Sequence, residues 1–385
     1  MAIKNLEKIQ YPIKKLANGD DLNLRAFRVT GTEPGPHVHI QASVHGAEVQ
    51  GNAVIFRLLE FFENHEFNGT ITFIPMANPT GINNKQGPAT QGRFNPQSGT
   101  NWNRSYEDIT KSEFFNLDKF LEKEKSLIDK AKWSAVTSAF KKYLVEVIGL
   151  IQNSHKDYGV EENKKLGLLL QKIAAPADIV LDLHTGPIAC RYLYCGEHNK
   201  NRAPDMGFPF NLIIPDEFGG AMDEATFMPW VILNQALDFE LFPFESYTVE
   251  LGSEERIDLD EATEDAALIL NFLKERGMLS KENTPKAREY EQKACYLKDY
   301  KTYYSQKAGL VEYLQKPGDA FKEETLLYQV LNMSHLTDTV DLGDCLTEVK
   351  AQAPGLVINH HPSSVIMEGA PVYQVMENYF DFKKM

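Results

Sequence analysis

Apolar and polar positions alternate with a period of two through DLNLRAFRVT (21–30) and again through HVHIQASV (37–44), the pattern of half-buried strands. The period then lengthens. In AEVQGNAVIFRLLEFFENH (47–65), Val54, Phe56, Leu58, Leu59 and Phe62 recur at close to helical spacing, and GTITFIPMANP (69–79) returns to a strand ended by Asn-Pro and Gly81. Strand, helix and strand of these lengths predict a βαβ unit, hence parallel strands joined by a right-handed crossover. Residues 82–105 are polar and rich in Gly, Pro and Asn, and a loop of that length inside a compact domain is commonly functional or disordered. From 111 to about 175 the chain is rich in Lys, Glu and Leu at helical intervals, which predicts a helical layer serving as scaffold or oligomer contact. Strand patterns resume at 177–184, 190–195, 210–215 and 245–252. A helix follows at 260–277, acidic in its first turn and ending Lys-Glu-Arg. The charged stretch 279–300 reads as a linker.

After about residue 300 the pattern changes. GLVEYLQKPGDAFKEETLLYQV (309–330) is echoed by GLVINHHPSSVIMEGAPVYQV (355–375), both opening Gly-Leu-Val and closing Tyr-Gln-Val. A short, strand-like, turn-punctuated repeat predicts a small β domain of two similar halves. It resembles the biotinyl/lipoyl-type barrel-sandwich. Carrier domains of that type need a lysine at the tip between the halves, and the intervening segment offers only Lys350, inside a re-entering strand pattern. A structural or lid role is the expectation.

Composition narrows the field. The chain has 385 residues, 43% hydrophobic and 24% charged, enough for a core and more than one domain. Its net charge of −14 argues against nucleic acid and anionic membrane surfaces as partners. Cys190, Cys195, Cys295 and Cys345 form no C-x-x-C pair and no disulfide framework, so reduced, buried thiols are expected. The first 21 residues lack an apolar signal core, and no apolar run reaches the ~18 residues of a membrane span. A soluble, cytoplasmic protein is expected.

The candidate chemistry begins at His45-Gly46-Ala47-Glu48. With 10 histidines and 54 acidic residues in 385, about 1.4 His-x-x-acid spacings arise by chance, so the motif alone is weak. Its place is more telling, because His45 falls where a strand gives way to a helix, and ligands of open α/β sheets bind beyond the carboxyl ends of strands. A catalytic zinc needs three protein ligands and an open position. His184, closing the apolar strand IVLDLH, supplies the third. Asp182, two residues earlier on the same face, is placed to orient a ligating imidazole or is an ordinary strand-end carboxylate. Glu250, flanked by Val249 and Leu251, is a carboxylate inside an apolar strand, costly unless paired or working. It is the candidate general base, with Glu254 and Glu255 as solvated alternatives. The long loop contributes Arg93, Asn103 and Arg104, and arginine suits both a substrate carboxylate and an oxyanion.

The ordered series HGAE, NPTG, GRF, NWNR, DLHTG and ELG resembles the zinc carboxypeptidase superfamily, and within it the succinylglutamate desuccinylase/aspartoacylase family, over about residues 20–280. The resemblance implies one zinc ion per chain held by His45, Glu48 and His184. It implies that Glu250 takes a proton from the attacking water and hands it to the leaving amine. Arg93 would polarise the scissile carbonyl, and Asn103 and Arg104 would grip a substrate carboxylate. The loop from Asn78 to Asn103 is longer than in aspartoacylase-type members, and the helical excursion at 111–175 is larger than a minimal member needs, so the acyl group does not carry over. The expected architecture is α/β: a mixed, mostly parallel sheet flanked by helices over residues 1–290, then a small all-β barrel-sandwich over 300–385. The expected function is zinc-dependent hydrolysis of an N-acyl amino acid or related small amide bearing a carboxylate. A carboxypeptidase acting on short peptides and a non-catalytic binding protein are the rivals. A homo-oligomer is left open.

Overall fold

The computed structural model describes residues 6–335 and 342–383. It opens with three strands, β1 (Leu6–Lys15), β2 (Asp21–Thr30) and β3 (Glu33–Ala42), followed by α1 (Gln50–Asn64) and β4 (Asn68–Ile74). β3 and β4 pair in parallel across α1, the expected βαβ unit. β1 was not anticipated from the sequence. Its apolar residues Ile9, Tyr11 and Ile13 do alternate, but among lysines and around Pro12, which an edge strand tolerates. One turn of helix, α2 (Pro79–Ile82), leads into the polar loop, which holds a small hairpin, β5 (Lys85–Gln86) with β6 (Ala89–Thr90).

The helical stretch resolves into α3 (Leu117–Lys123), α4 (Lys125–Ile128), α5 (Trp133–Ser154) and α6 (Glu162–Ala174). On α5, Val136, Phe140, Leu144, Val147, Ile148 and Ile151 form one buried stripe. Next come β7 (Ile179–Gly186), β8 (Ile188–Ala189), β9 (Arg191–Gly196), β10 (Phe210–Ile214), α7 (Met222–Leu237), β11 (Glu245–Ser253) and α8 (Leu259–Glu275). Asp258 caps α8 by accepting hydrogen bonds from the backbone N–H groups of Asp260 and Glu261. The stretch read as a linker contains β12 (Lys293–Tyr296), where buried Ala294 and Cys295 are too short a signal to stand out among charges.

These strands join β21 (Phe380–Asp381) in one ten-stranded sheet of order β1-β2-β4-β3-β7-β11-β9-β10-β12-β21. β4, β3, β7 and β11 run parallel, as do β9, β10 and β12, and the two blocks meet antiparallel at β11–β9. The fold is therefore mixed α/β. α1 and α8 cover one face, packing on Ile40, Leu181, Leu183 and Val249, while α5, α6 and α7 cover the other. Every residue of β7 is buried, as a central parallel strand covered on both faces requires.

Beyond β13 (Tyr300–Tyr304) the two repeat copies fold alike: β14 (Gly309–Tyr313), β15 (Ala320–Phe321) and β16 (Leu326–Leu331), then, after β17 (Leu346–Lys350), β18 (Gly355–His360), β19 (Val365–Ile366) and β20 (Pro371–Met376). Each copy lends its short strand to the other's sheet: Phe321 pairs with Gly355, and Ile366 pairs with Gly309. The result is two antiparallel sheets, β13-β20-β18-β15 and β17-β16-β14-β19. Lys350 ends β17, and residues 336–341 between the copies lie outside the described residues. β8, immediately after His184-Thr-Gly-Pro, pairs with β18 through Ala189 and Asn359, which stitches the C-terminal strands to the end of β7. Among the described residues, no helix is long and apolar enough to cross a membrane.

On the helix-covered side of β3 lie His39 and Gln41, both fully buried. Burial lowers the His39 pKa to about 4, only partly offset by its Gln41 hydrogen bond and nearby Asp182. Between the unfolded value of 6.5 and about 4, the unfolded chain binds a proton that the folded one refuses, so this residue makes stability fall as pH falls. A loss of about 2 kcal/mol from pH 7 to pH 5 is expected from this group. Chemical denaturation across that range checks it, and His39→Phe is expected to flatten the slope.

Candidate functional site

Strand register assembles the site. Gln41 on β3 stands beside Asp182 on β7, Asp182 beside Thr248 on β11, and Thr248 beside Tyr194 on β9. One step toward the carboxyl ends, His184 stands beside Glu250 and Glu250 beside Tyr192. Because alternate residues share a face, both rows point away from α1 and α8. Residues 66 positions apart in sequence, His184 and Glu250, thereby become strand neighbours, roughly 4.8 Å apart.

His45 and Glu48 reach the same place from the turn after β3. Their ligating atoms and those of His184 all lie within 4.8 Å of one another, and all three residues are buried. His45 Nδ1 is 2.7 Å from Glu48 Oε1, and His184 Nδ1 is 2.7 Å from Glu48 Oε2. The outer nitrogens of both rings are engaged too. His184 Nε2 lies 2.8 Å from an Asp182 carboxylate oxygen, which can only accept when ionised, so this nitrogen carries the proton. His45 Nε2 lies 2.8 Å from Asn101 Oδ1, an atom identified as oxygen because the Asn103 backbone N–H donates to it. Both neutral rings would then turn lone pairs on Nδ1 toward the carboxylate.

Lone pairs facing a carboxylate at 2.7 Å demand positive charge between them, either as ring protons or as a cation. Burial works against charge on His184, yet Asp182 and Glu48 raise its pKa well above the usual range. Burial would raise Glu48 as well, but His45 and His184 hold it well below the usual carboxylate range. Two imidazole nitrogens and a carboxylate oxygen, with their outer nitrogens already donating, are a donor set that fits a divalent metal ion.

The three groups sit in a cavity of about 370 Å³ that also receives Glu250, Arg93, Asn103 and Arg104. All the site residues anticipated from the sequence are thus brought together. Glu250 is 9% exposed, and its Oε2 is buried without a partner. Burial pushes its pKa up to about 8, with Glu48 and Asp182 adding to the rise while His184 and Arg93 oppose it. Arg93 reaches in from the loop and places Nη1 3.1 Å from Glu48 Oε1, its side chain half-exposed. The Asn103 amide nitrogen is 3.4 Å from His184 Nε2, and its amide oxygen is buried without a partner. Arg104 turns Nη1 to the Asn103 carbonyl at 2.6 Å. Glu254 and Glu255, the alternatives to Glu250, do not line this cavity.

Several participants were not foreseen. Asn101 opens the same NWNR motif, but nothing local distinguishes it from a loop asparagine. Asp223, at the start of α7, lines the cavity and is pushed up to about 7, chiefly by burial. Tyr300, Asn359 and Gln374 come from the C-terminal strands and form a linked wall: Asn359 Nδ2 donates to Gln374 Oε1 at 2.7 Å and to the Tyr300 hydroxyl at 3.2 Å, and that hydroxyl donates to Gln374 Oε1. No sequence signal ties residues so distant to His45.

Three motif glycines lock the loops around the site. The Gly46 N–H donates to the Gly92 carbonyl at 2.9 Å. A Cβ on Gly46 would lie 2.2 Å from the Gly81 backbone, and one on Gly92 would lie 2.4 Å from the Gly81 carbonyl oxygen. HGAE, NPTG and GRF are thus packed backbone against backbone, which fixes where Arg93 stands relative to Glu48.

A family profile described as the succinylglutamate desuccinylase/aspartoacylase catalytic domain matches residues 34–128 and 141–276 of this chain. No curated protein matches it significantly. Two crystal structures of proteins assigned to that family are similar throughout. The one from Shewanella frigidimarina NCIMB 400 is 37% identical, covers 99% of this chain and 100% of its own, and has a TM-score of 0.89. The one from Shewanella amazonensis SB2B is 40% identical over 97% and 100% of the two chains, with a TM-score of 0.87. The product-bound ectoine utilization protein EutE (DoeB) from Ruegeria pomeroyi, 14% identical over 97% of each chain with a TM-score of 0.64, shares the fold.

The glycine contact makes a direct prediction. Gly92→Ala forces backbone segments apart, so a loss of about 2 kcal/mol or more is expected in urea denaturation. An unchanged midpoint would show that the loops separate freely.

Proposed function

Because the chain belongs to the succinylglutamate desuccinylase/aspartoacylase family, we propose that it is a zinc-dependent hydrolase that removes an acyl group from an N-acyl amino acid or a related small amide bearing a carboxylate. The observation that carries this reading is the meeting of His45, Glu48 and His184 in one buried cavity with Glu250, whose carboxylate has an oxygen left unpartnered. Those three residues would hold zinc, which would supply Lewis-acid chemistry to polarise an amide carbonyl and make water more acidic.

The chain's own residues do the rest. Glu250 accepts the proton from the attacking water and delivers it to the leaving amine nitrogen as the C–N bond breaks. Burial among Glu48 and Asp182 suits it to hold that proton between the two steps. Arg93 stands by the developing oxyanion. Arg104 takes the substrate carboxylate, and Asn103 offers its amide beside it. The cavity volume of about 370 Å³ and the wall of Tyr300, Asn359 and Gln374 favour a small substrate over a peptide.

We further read residues 1–290 as the catalytic domain and 300–385 as a barrel-sandwich β domain that closes over it. Cytoplasmic residence and the exclusion of nucleic acid and membrane partners belong to the same reading, with the 111–175 helices as scaffold or oligomer contact.

Two outcomes are expected. Glu250→Gln keeps the side chain's size but removes the proton acceptor, so turnover falls by ~10² or more while bound zinc stays at the wild-type level. Near-normal turnover would take Glu250 out of the mechanism. Metal analysis of purified protein is expected to find about one zinc per chain, lost in His184→Ala, with hydrolysis of N-acyl amino acids abolished by chelator. Faster cleavage of dipeptides than of N-acyl amino acids in the same assay would make the protein a carboxypeptidase instead.

A further inference from the structure

The stretch HVHIQA puts His37, His39 and Gln41 on one face of β3, an unusual choice for a central strand whose every other residue there is apolar. His39 and Gln41 are fully buried, where polar groups are costly unless satisfied. They are bonded in a directed chain. The Gln41 amide nitrogen donates to Asp182 Oδ1 at 3.0 Å and to the Tyr106 hydroxyl at 3.3 Å. Its amide oxygen lies 3.0 Å from His39 Nε2, which must therefore be the protonated nitrogen of that ring. The second Asp182 oxygen accepts from His184 Nε2 at 2.8 Å. Hydrogen bonds thus run from His39 through Gln41 to Asp182, where they meet the one from His184.

Neither Gln41 nor Tyr106 lines the cavity, and neither can touch a substrate there. What they do touch is the carboxylate that orients a candidate metal ligand. A fully buried Asp182 held by only one oxygen is free to swing about its terminal torsion, and His184 swings with it. With both oxygens held, the carboxylate plane is fixed, and the Nδ1 of His184 stays aimed at Glu48. Gln41 is in turn held at three points, which leaves its amide a single orientation.

We propose that Gln41, braced by Tyr106 and His39, is a positioning residue that sets the affinity of the His45–Glu48–His184 centre for its cation by locking Asp182. The proposal rests on the reading of that centre as a metal site. It extends the control of the centre from the ligands' immediate partners to a glutamine one strand away. A purely structural glutamine would affect folding stability but not metal affinity once folded.

Zinc affinity, measured by competition with a chromophoric chelator on the full-length protein, separates the two. Gln41→Leu is expected to bind zinc about 10- to 100-fold more weakly, the range typical of lost outer partners. Made on top of Asp182→Asn, the same change is expected to have little further effect, because its route through the carboxylate is gone. At saturating zinc, KM is expected to stay within about twofold of wild type, since Gln41 does not reach the substrate. Wild-type zinc affinity in folded Gln41→Leu, or an equal loss in both backgrounds, overturns the proposal while leaving the hydrolase reading intact. If Gln41→Leu does not fold, Tyr106→Phe decides: weaker zinc binding supports the proposal and unchanged binding overturns it. A wild-type protein that binds no zinc overturns both readings.

Discussion

Two imidazoles turned toward one buried carboxylate form an arrangement that a protein interior tolerates only with positive charge among them. Glu48 is almost wholly buried, and its two oxygens are each 2.7 Å from an Nδ1. The outer nitrogens of both rings are committed to oxygen acceptors, Asn101 and Asp182. The chain has therefore spent buried hydrogen bonds on aiming lone pairs inward, which makes structural sense only around a cation or its protonic equivalent. The placement of Glu250, the approach of Arg93 and the network behind Asp182 all take their meaning from that point of charge.

The sheet supplies the rigidity this needs. His184 and Asp182 belong to β7 and Glu250 to its neighbour β11, so their separation is fixed by the ladder and not by loop conformation. His45, Glu48 and Arg93 come from loops, and there the backbone contacts of Gly46, Gly81 and Gly92 stand in for a ladder. The antiparallel junction at β11–β9 brings Tyr192 and Tyr194 alongside, closing the polar rows on the far side. The pairing of β8 with β18 makes the C-terminal strands one wall of the cavity. The cavity thus draws its lining from both ends of the chain.

Much of this was legible locally. The strand–helix–strand opening, the amphipathic stripe of α5, the apolar β7 and the repeat after residue 309 all reside in short-range periodicity, which the folded chain preserves. β12 was hidden because two buried residues make no period, and β1 because its alternation runs through lysines and a proline. The ligand candidates were visible because histidine and glutamate at strand ends are chemically conspicuous. Asn101, Gln41, Asp223 and Asn359 were not, because an amide or an acid looks the same in a sequence whether it faces solvent or a buried carboxylate.

The sequence by itself determined which residues could carry charge, that the clearly periodic segments had to be strands or helices, and that several strand ends bore side chains able to ligate a metal. Those properties depend on side-chain chemistry and on the periods of two and 3.6, both readable over a few residues. Only the tertiary structure decided that β7 and β11 lie side by side in a register that faces His184 to Glu250, and that β18 returns to close the cavity. It also decided which ring nitrogens of His45 and His184 look inward. Register and ring orientation are set by partners distant in the chain, as Ile188 by His360, 172 residues further on, and no local pattern encodes a partner's identity.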